Sequence, residues 1–320
     1  HRPAEHLYGE DDRVLTQLEL EERIAAGDER LDAAKSLVMI QCVGCREADR
    51  SYCARICCSQ AIKNALALKA SRPEMEIYIL FRDMRTYGFK EDYYLEAARK
   101  DVKFVRWEAG DKPLVEAVEE EGEPLLRVTV PDPILGQALA IDADLVALSA
   151  AVVPSAGSQE IARLFKVAAN PDGFFQEAHV KLRPVDFAAD GVFLCGTNHY
   201  PKHITEAISQ AYGAAGRAAS LLSHDTVVAS GAVCEVREED CVSCGACITA
   251  CKYGAIEFHD TPRGKKAVVN PVLCKGDGLC CAKCPTKAVM LKHFTDEEVC
   301  FQIDAALTDS WSASRDRTSE

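Results

Sequence analysis

The run "CVSCGACITAC", positions 241–251, leaves few folds open. It sets Cys241, Cys244, Cys247 and Cys251 two, two and three residues apart. A second run, "CKGDGLCCAKCP", supplies Cys274, Cys280 and Cys284 at matching offsets. Two intervening residues let successive thiolates converge on one metal cage, and the fourth cysteine of such a run ligates the other cluster of a two-cluster ferredoxin. The spacing assigns one [4Fe–4S] cluster to Cys241, Cys244, Cys247 and Cys284. It assigns a second to Cys251, Cys274, Cys280 and a group near position 277, where Asp277 replaces the expected thiolate. A carboxylate is a harder donor than the thiolates that iron–sulfur sites prefer. The fourth position is therefore open between an Asp277-ligated or labile cluster, exchanging four-iron and three-iron forms, and an ordinary cube completed by neighbouring Cys281. Zinc ribbons or disulfides are the competing readings. Zinc sites rarely need three cysteines in seven residues, and strand-like "GAIEF" and "KAVML" follow the two runs.

The remaining cysteines sharpen the picture. Of sixteen in 320 residues, five fall between Cys42 and Cys58 and nine between Cys234 and Cys284, with Cys195 and Cys300 alone. Such clumping suits metal ligation in a reducing compartment and not a secreted disulfide scaffold, so a cytoplasmic location is expected. A net charge of −13 argues against a nucleic-acid partner. No apolar run approaches the roughly 20 residues of a membrane span. The chain opens on His1 instead of Met, which leaves a missing N-terminal part open.

Along the chain, "DRVLTQLELEERIAAG" reads as a helix ending at Gly27. "KSLVMIQ", "EMEIYILF" and "VKFVRW" read as strands alternating with helices "YCARICCSQAIKNALALKA" and "EDYYLEAARK", the signature of a parallel α/β unit. "LLRVTV", "QALAID" and "ADLVALSAAVVPS" read as a small antiparallel excursion returning to the sheet. A second α/β piece from about Gly157 to Leu222 contains the strand "GVFLCG" and a small-residue helix from Ile204. The end of the chain reads as one short helix and a polar tail.

"QCVGCREADRSYCARICC" occupies a strand-to-helix crossover, where a dinucleotide-binding unit would carry a glycine-rich loop. Gly44 is alone there, and cysteines take the place of the loop. Cys53 and Cys57 lie one helical turn apart, and a helix N-terminus favours anionic thiolates. Spacing alone leaves a cluster, zinc and buried structural cysteines all open. From "LTQLELEERI" through "QCVG…YC.R.CC", "VPS", "GVFLCGTNHYPKHITEAISQAYGAAGRA" and the double cysteine run to "FTDEE…QIDAAL", however, the sequence resembles the HdrA family of heterodisulfide reductase and its relatives in anaerobes. The resemblance covers nearly all of this chain but only the later part of the family's. It implies a thioredoxin-reductase-like flavoprotein of Rossmann-type α/β domains followed by an α+β two-cluster ferredoxin domain. It also implies a third [4Fe–4S] cluster, on Cys42, Cys53, Cys57 and Cys58. Members usually carry Ser at the position of Cys45, which becomes a spare thiol or an alternative ligand.

The domain boundaries expected on this basis are 1–35 (end of a preceding FAD-domain segment), 36–155 (pyridine-nucleotide-like unit with a cluster), 156–225 (C-terminal part of the FAD domain), 226–298 (ferredoxin domain) and 299–320 (helix and tail). "GVFLCGT" matches the second FAD-contacting motif, so Gly196 and Thr197 are expected at the flavin's ribityl chain and pyrophosphate. Lys202 and His203 are expected near the isoalloxazine, where they could stabilise anionic forms or shuttle protons. Surface solvation is the competing reading for His199 and His203. Cys195 reads as a core-strand residue, and Cys234 and Cys300 match no ligand position. The first FAD motif, a G-x-G-x-x-G, does not occur. Either its half lies elsewhere, in the same protein or a separate polypeptide, or the chain binds no flavin.

The resemblance implies an electron-transfer subunit taking part in flavin-based electron bifurcation among a two-electron donor, ferredoxin and a disulfide-type acceptor. Its implied partners are other heterodisulfide-reductase-like subunits, a hydrogenase- or formate-dehydrogenase-like donor, ferredoxin and the FAD-domain half. The alternative is a flavin-free iron–sulfur relay in a quinone- or acyl-CoA-linked reductase.

Overall fold

A computed structural model describes residues 1–120, 122–226 and 231–315. They form two compact units. The first comprises 1–156, 171–174 and 195–211, and the second 157–170, 175–194 and 212–320.

The first unit opens with β1 (Val14–Thr16) and α1 (Gln17–Ala26), not the single helix expected there. Thr16 ends the strand and starts the helix. Its hydroxyl accepts the Glu19 N–H while the Glu19 carboxylate accepts the Thr16 N–H, a reciprocal capping box. Gly27, with φ 65°, closes α1 in the left-handed conformation that glycine adopts at low cost. Then come α2 (Glu29–Ala33), β2 (Ser36–Val43), α3 (Cys57–Ser71), β3 (Glu76–Phe81), α4 (Glu91–Arg99) and β4 (Val102–Arg106). An antiparallel sheet of β5 (Leu114–Glu120), β6 (Glu123–Asp132) and β7 (Gln137–Ala143) follows, and β8 (Leu145–Ala150) returns to the main sheet. The main sheet is wholly parallel, in the order β1-β8-β2-β3-β4.

Both faces of that sheet are covered, which is why β2 and β8 read as unbroken apolar runs. Leu37, Met39, Ile77, Ile79 and Ala147 pack on one face with Ile62, Ala65 and Leu68 of α3. Val38, Ile40, Leu80 and Leu148 pack on the other with Leu126, Val128 and Ile141 of the antiparallel sheet.

The second unit begins with α5 (Ser158–Phe165). Instead of the expected strand, "GVFLCG" is irregular, and Phe193 makes an isolated bridge with Asp186. Asp186 is buried and accepts from the Arg217 guanidinium at 3.1–3.2 Å. Arg217 lies on α6 (Ile204–Leu222), a helix whose first half belongs to the first unit. Beyond it come β9 (Cys234–Val236), α7 (Ala246–Ala250), β10 (Ile256–Thr261), β11 (Gly264–Val269), α8 (Leu279–Lys283) and β12 (Val289–Leu291). β10 pairs with β11 and β9 with β12, both antiparallel. The final helix, α9 (Asp296–Arg315), is much longer than expected, and the last residues of the predicted tail lie outside the described ones. Among the described residues, no helix is long and apolar enough to cross a membrane.

Candidate iron–sulfur and flavin sites

The cysteine-rich module is a near repeat at an interval of thirty-three residues, from Cys241 to Cys274 and from Cys247 to Cys280. The backbone follows the same repeat. Gly245 (φ 77°, ψ −1°) starts α7 and Gly278 (φ 71°, ψ 0°) starts α8, both in the left-handed region. That conformation, which glycine adopts at low cost, turns each loop into its short helix. Cys241, Cys244, Cys247 and Cys284 line one cavity together with Phe258 and Val289. Cys284 opposes its own burial with hydrogen bonds from the backbone of Val289 and Thr286, and the net effect lowers its pKa. Such N–H···S bonds favour thiolate.

Around the other half, Cys251 Sγ accepts the Ala255 N–H and Cys274 Sγ accepts the Cys234 N–H, each at 3.3 Å. Burial pushes the Cys280 thiol up to about 11. Asp277 is exposed, and its Oδ1 accepts the Leu279 N–H at 3.1 Å, at the start of α8. Cys234, which matches no ligand position by spacing, is buried beside Cys280 and Cys281, and the three sulfurs lie within 4.8 Å of one another. Spacing could not reveal this. Cys234 reaches the second run through the pairing of β9 with β12, whose register sets it opposite Leu291.

In the first unit, β2 ends in a register shift between Ile40 and Val43, where Cys42 adopts φ 67°. Arg55, also left-handed at φ 61°, delays the start of α3 until Cys57, five residues beyond the predicted helix start. Cys42, Cys45, Cys57 and Cys58 are buried in one cluster, and Cys53 is half-buried. Cys45 hydrogen-bonds Cys42 and, with Arg46 and against burial, lowers it to about 6; Cys45 itself is raised. Cys58 is lowered chiefly by its bond from Cys57. Cys53 Sγ accepts the Arg55 N–H at 3.3 Å. Gln41 and Ser59, chain neighbours of Cys42 and Cys58, keep buried side-chain polar atoms without a protein partner. Soft donors, N–H···S bonds and arginines all fit an anionic cluster.

The last residues of the flavin-motif stretch, from Cys195 on, lie in the same unit. Gly196 has φ 75° and open space where a Cβ would project, and Thr197 is exposed, so a cofactor chain could lie across the turn without displacing a side chain. The Gly196 N–H, however, is engaged by Gln210 Oε1 at 2.9 Å. Gln210 Oε1 also accepts from Lys202 Nζ at 2.7 Å, and Lys202 lies 3.1 Å from His199 Nδ1. Lys202 is buried, not solvated. Burial first, and then Lys90, lower the His203 pKa, and its Nε2 is buried without a partner. Arg55 ties this stretch to the cysteine loop: its guanidinium donates to Glu206 at 2.6 Å, Tyr87 Oη at 2.9 Å and the Pro201 carbonyl at 3.3 Å. Tyr52, Phe174 and Tyr200 pack edge-on or tilted around the same junction. Contrary to expectation, Cys195 is exposed and precedes a short 3-10 turn instead of sitting in a core strand.

Clustered thiols on a wholly parallel α/β sheet and in a cysteine-rich repeat are the donor sets of an iron–sulfur protein. Residues 240–288 match the family described as "4Fe-4S dicluster domain". The chain is 38% identical over 267 residues to an iron-sulfur HdrA subunit of the CoB--CoM heterodisulfide reductase of Methanopyrus kandleri, covering 79% of this chain and 40% of that one. It is 36% identical over 319 residues to the HdrA subunit of the H(2)/formate:CoB-CoM heterodisulfide,ferredoxin reductase of Methanococcus maripaludis, covering 96% and 48%. Over most of its length the chain is similar to HdrA subunits of heterodisulfide reductase, and it spans less than half the length of these relatives. Among solved structures, Lactococcus lactis thioredoxin reductase matches at a TM-score of 0.43 and 15% identity over 69% of this chain and 61% of that one, too loose a likeness to carry an argument.

Proposed function

We propose that this chain is the iron–sulfur electron-transfer part of a cytoplasmic heterodisulfide-reductase-like complex, an oxidoreductase component that carries three [4Fe–4S] clusters and contributes to an FAD site. The observation that carries the reading is the convergence of Cys241, Cys244, Cys247 and Cys284 on one cavity in a module of the dicluster family. In this reading those four hold one cluster. Cys251, Cys274 and Cys280 hold a second, with its fourth position disputed among the groups around it, Asp277 included. Cys42, Cys53, Cys57 and Cys58 hold the third, with Cys45 beside them.

Clusters supply one-electron steps, and a bound flavin would supply the exchange between two-electron and one-electron carriers; the protein positions and tunes both. Gly196 and Thr197 would receive the flavin chain. Lys202 would hold a positive charge nearby, and His203, kept neutral by burial, would accept a proton at Nε2. Arg55 would keep the third cluster's loop and the flavin turn in register. Taken with the names of the relatives, this supports a role in bifurcation between a hydrogenase- or formate-dehydrogenase-like donor, ferredoxin and a heterodisulfide.

The test is the flavin-to-iron ratio of the anaerobically isolated native complex, assigned to this chain. About one FAD with about twelve irons, four for each cluster, is expected. Iron without FAD would reduce the chain to a relay and refute the flavin part. Zinc without visible absorbance would refute the whole.

A further inference from the structure

The second ferredoxin run lacks the thiol its repeat requires, and Asp277, in that place, is exposed and committed to the Leu279 N–H. Two cysteines outside the repeat, Cys234 and Cys281, lie beside Cys280. Cys234 is the better placed. Its N–H donates to Cys274 Sγ at 3.3 Å, and its own Sγ lies 3.4 Å from Cys280 Sγ. It therefore touches two of the three thiols that the spacing gives to this cluster, one through its main chain and one through its side chain. Cys281 approaches Cys234 at 3.7 Å and lies within 4.8 Å of Cys280, but it follows Cys280 directly on α8, whereas Cys234 comes from a different element and also bonds Cys274. Cys234 is buried, whereas Cys281 is partly exposed.

The backbone explains how a residue forty positions upstream of Cys274 comes to lie here. β9 is fixed by its pairing with β12, in which Cys234 faces Leu291. The loop of the second run presses on the residues leading into β9. Gly276, at φ 67°, approaches so closely that a Cβ there would overlap the Ala232 carbonyl oxygen. The loop thus lies against the 232–234 backbone, and the thiol on that backbone meets Cys280.

We propose that Cys234 supplies the fourth thiolate of the cluster held by Cys251, Cys274 and Cys280, in place of the ligand missing at Asp277. The proposal rests on the two-cluster reading of residues 240–288. Four thiolates make an ordinary cube, and soft donors are what such iron prefers, so no carboxylate ligation is needed.

The test uses the full chain in its native complex, prepared anaerobically as wild type, Cys234→Ser, Asp277→Ala, Cys281→Ser and Cys234→Ser/Asp277→Cys. Iron and acid-labile sulfide are counted, and EPR spectra are recorded on oxidised and reduced samples. Cys234→Ser should lose about one iron and gain an oxidised three-iron signal, or lose about four irons, one whole cluster. Asp277→Ala and Cys281→Ser should match wild type. The double variant should recover the lost iron, because it restores the thiolate at the position of the repeat; such rescue separates loss of a ligand from loss of folding. Full iron content in Cys234→Ser, or iron loss in Asp277→Ala or Cys281→Ser instead, overturns the proposal. A Cys234–Cys281 disulfide found by mass spectrometry in the iron-loaded wild type also overturns it. Wild-type protein without a second cluster would refute the underlying two-cluster reading instead.

Discussion

Removing the Arg55 guanidinium should destabilise the junction between the cysteine loop and the start of α6 by a calculable and pH-dependent amount. Arg55→Ala deletes an ion pair to Glu206 at 2.6 Å and neutral acceptors at Tyr87 and Pro201. The side chains of the pair are 30% and 41% exposed, so solvent screens it and about 0.5 kcal/mol is appropriate. The two further hydrogen bonds contribute about 0.5–1 kcal/mol each. The sum, about 2 kcal/mol, corresponds to about 6 °C in the midpoint of a unit this size. Glu206 is held below its ordinary pKa: burial raises it, but the His203 N–H and Arg55 together outweigh that. A carboxylate depressed in the folded state stabilises above its unfolded pKa, near about 4.3, and loses that contribution as pH falls through the folded value. Anaerobic thermal unfolding by far-UV circular dichroism, run as a double-mutant cycle with Glu206→Gln at pH 7 and pH 3.5, reads both quantities. A coupling of about 0.5 kcal/mol at pH 7 that shrinks at pH 3.5 is expected. Additive effects at pH 7, or a coupling that grows on acidification, would refute the assignment.

Two further perturbations probe the second unit. Arg217→Ala leaves Asp186 buried without its fork of donors; discounted for the half-exposed arginine, the loss should be about 1–3 kcal/mol in anaerobic urea titration, with Arg217→Lys recovering part of it. A cost below a few tenths would show that the pair contributes nothing there. Gly276→Ala combines a left-handed backbone, about 1 kcal/mol for any side chain, with overlap of the Ala232 carbonyl, and should exceed the cost of Gly264→Ala, where the same backbone strain meets open space. Equal losses would show that the approach of loop to strand is not tight.

Much of the first unit is legible because its strands are buried on both faces: "KSLVMIQ" and "ADLVALS" carry no alternation to confuse them with surface strands, and the observed β2 and β8 fall there. β5 escapes notice for the opposite reason. "LVEAVEE" interleaves glutamates with its apolar residues, and its burial comes from pairing with β6. The helix from "YCARICC" is expected too early because periodicity cannot register the left-handed Arg55, and "GVFLCG" reads as a strand from β-branched and aromatic content that here packs Phe187 and Leu194 without a ladder. For the candidate sites, local spacing picks out the cysteines of the two ferredoxin runs but is blind to what the fold does with Cys234, since its partners lie forty to forty-seven positions away.

The pairing of β9 with β12 also determines where this module can be cut. The dicluster match begins at residue 240, after β9 has ended. A fragment that starts at residue 240 and keeps β12 would leave that strand's edge unpaired, and the backbone donor to Cys274 would be gone along with the Cys234 sulfur. As a physical object the electron-carrying piece starts at least as early as Ala232, so expression of the module alone should include the strand that sequence comparison leaves outside it.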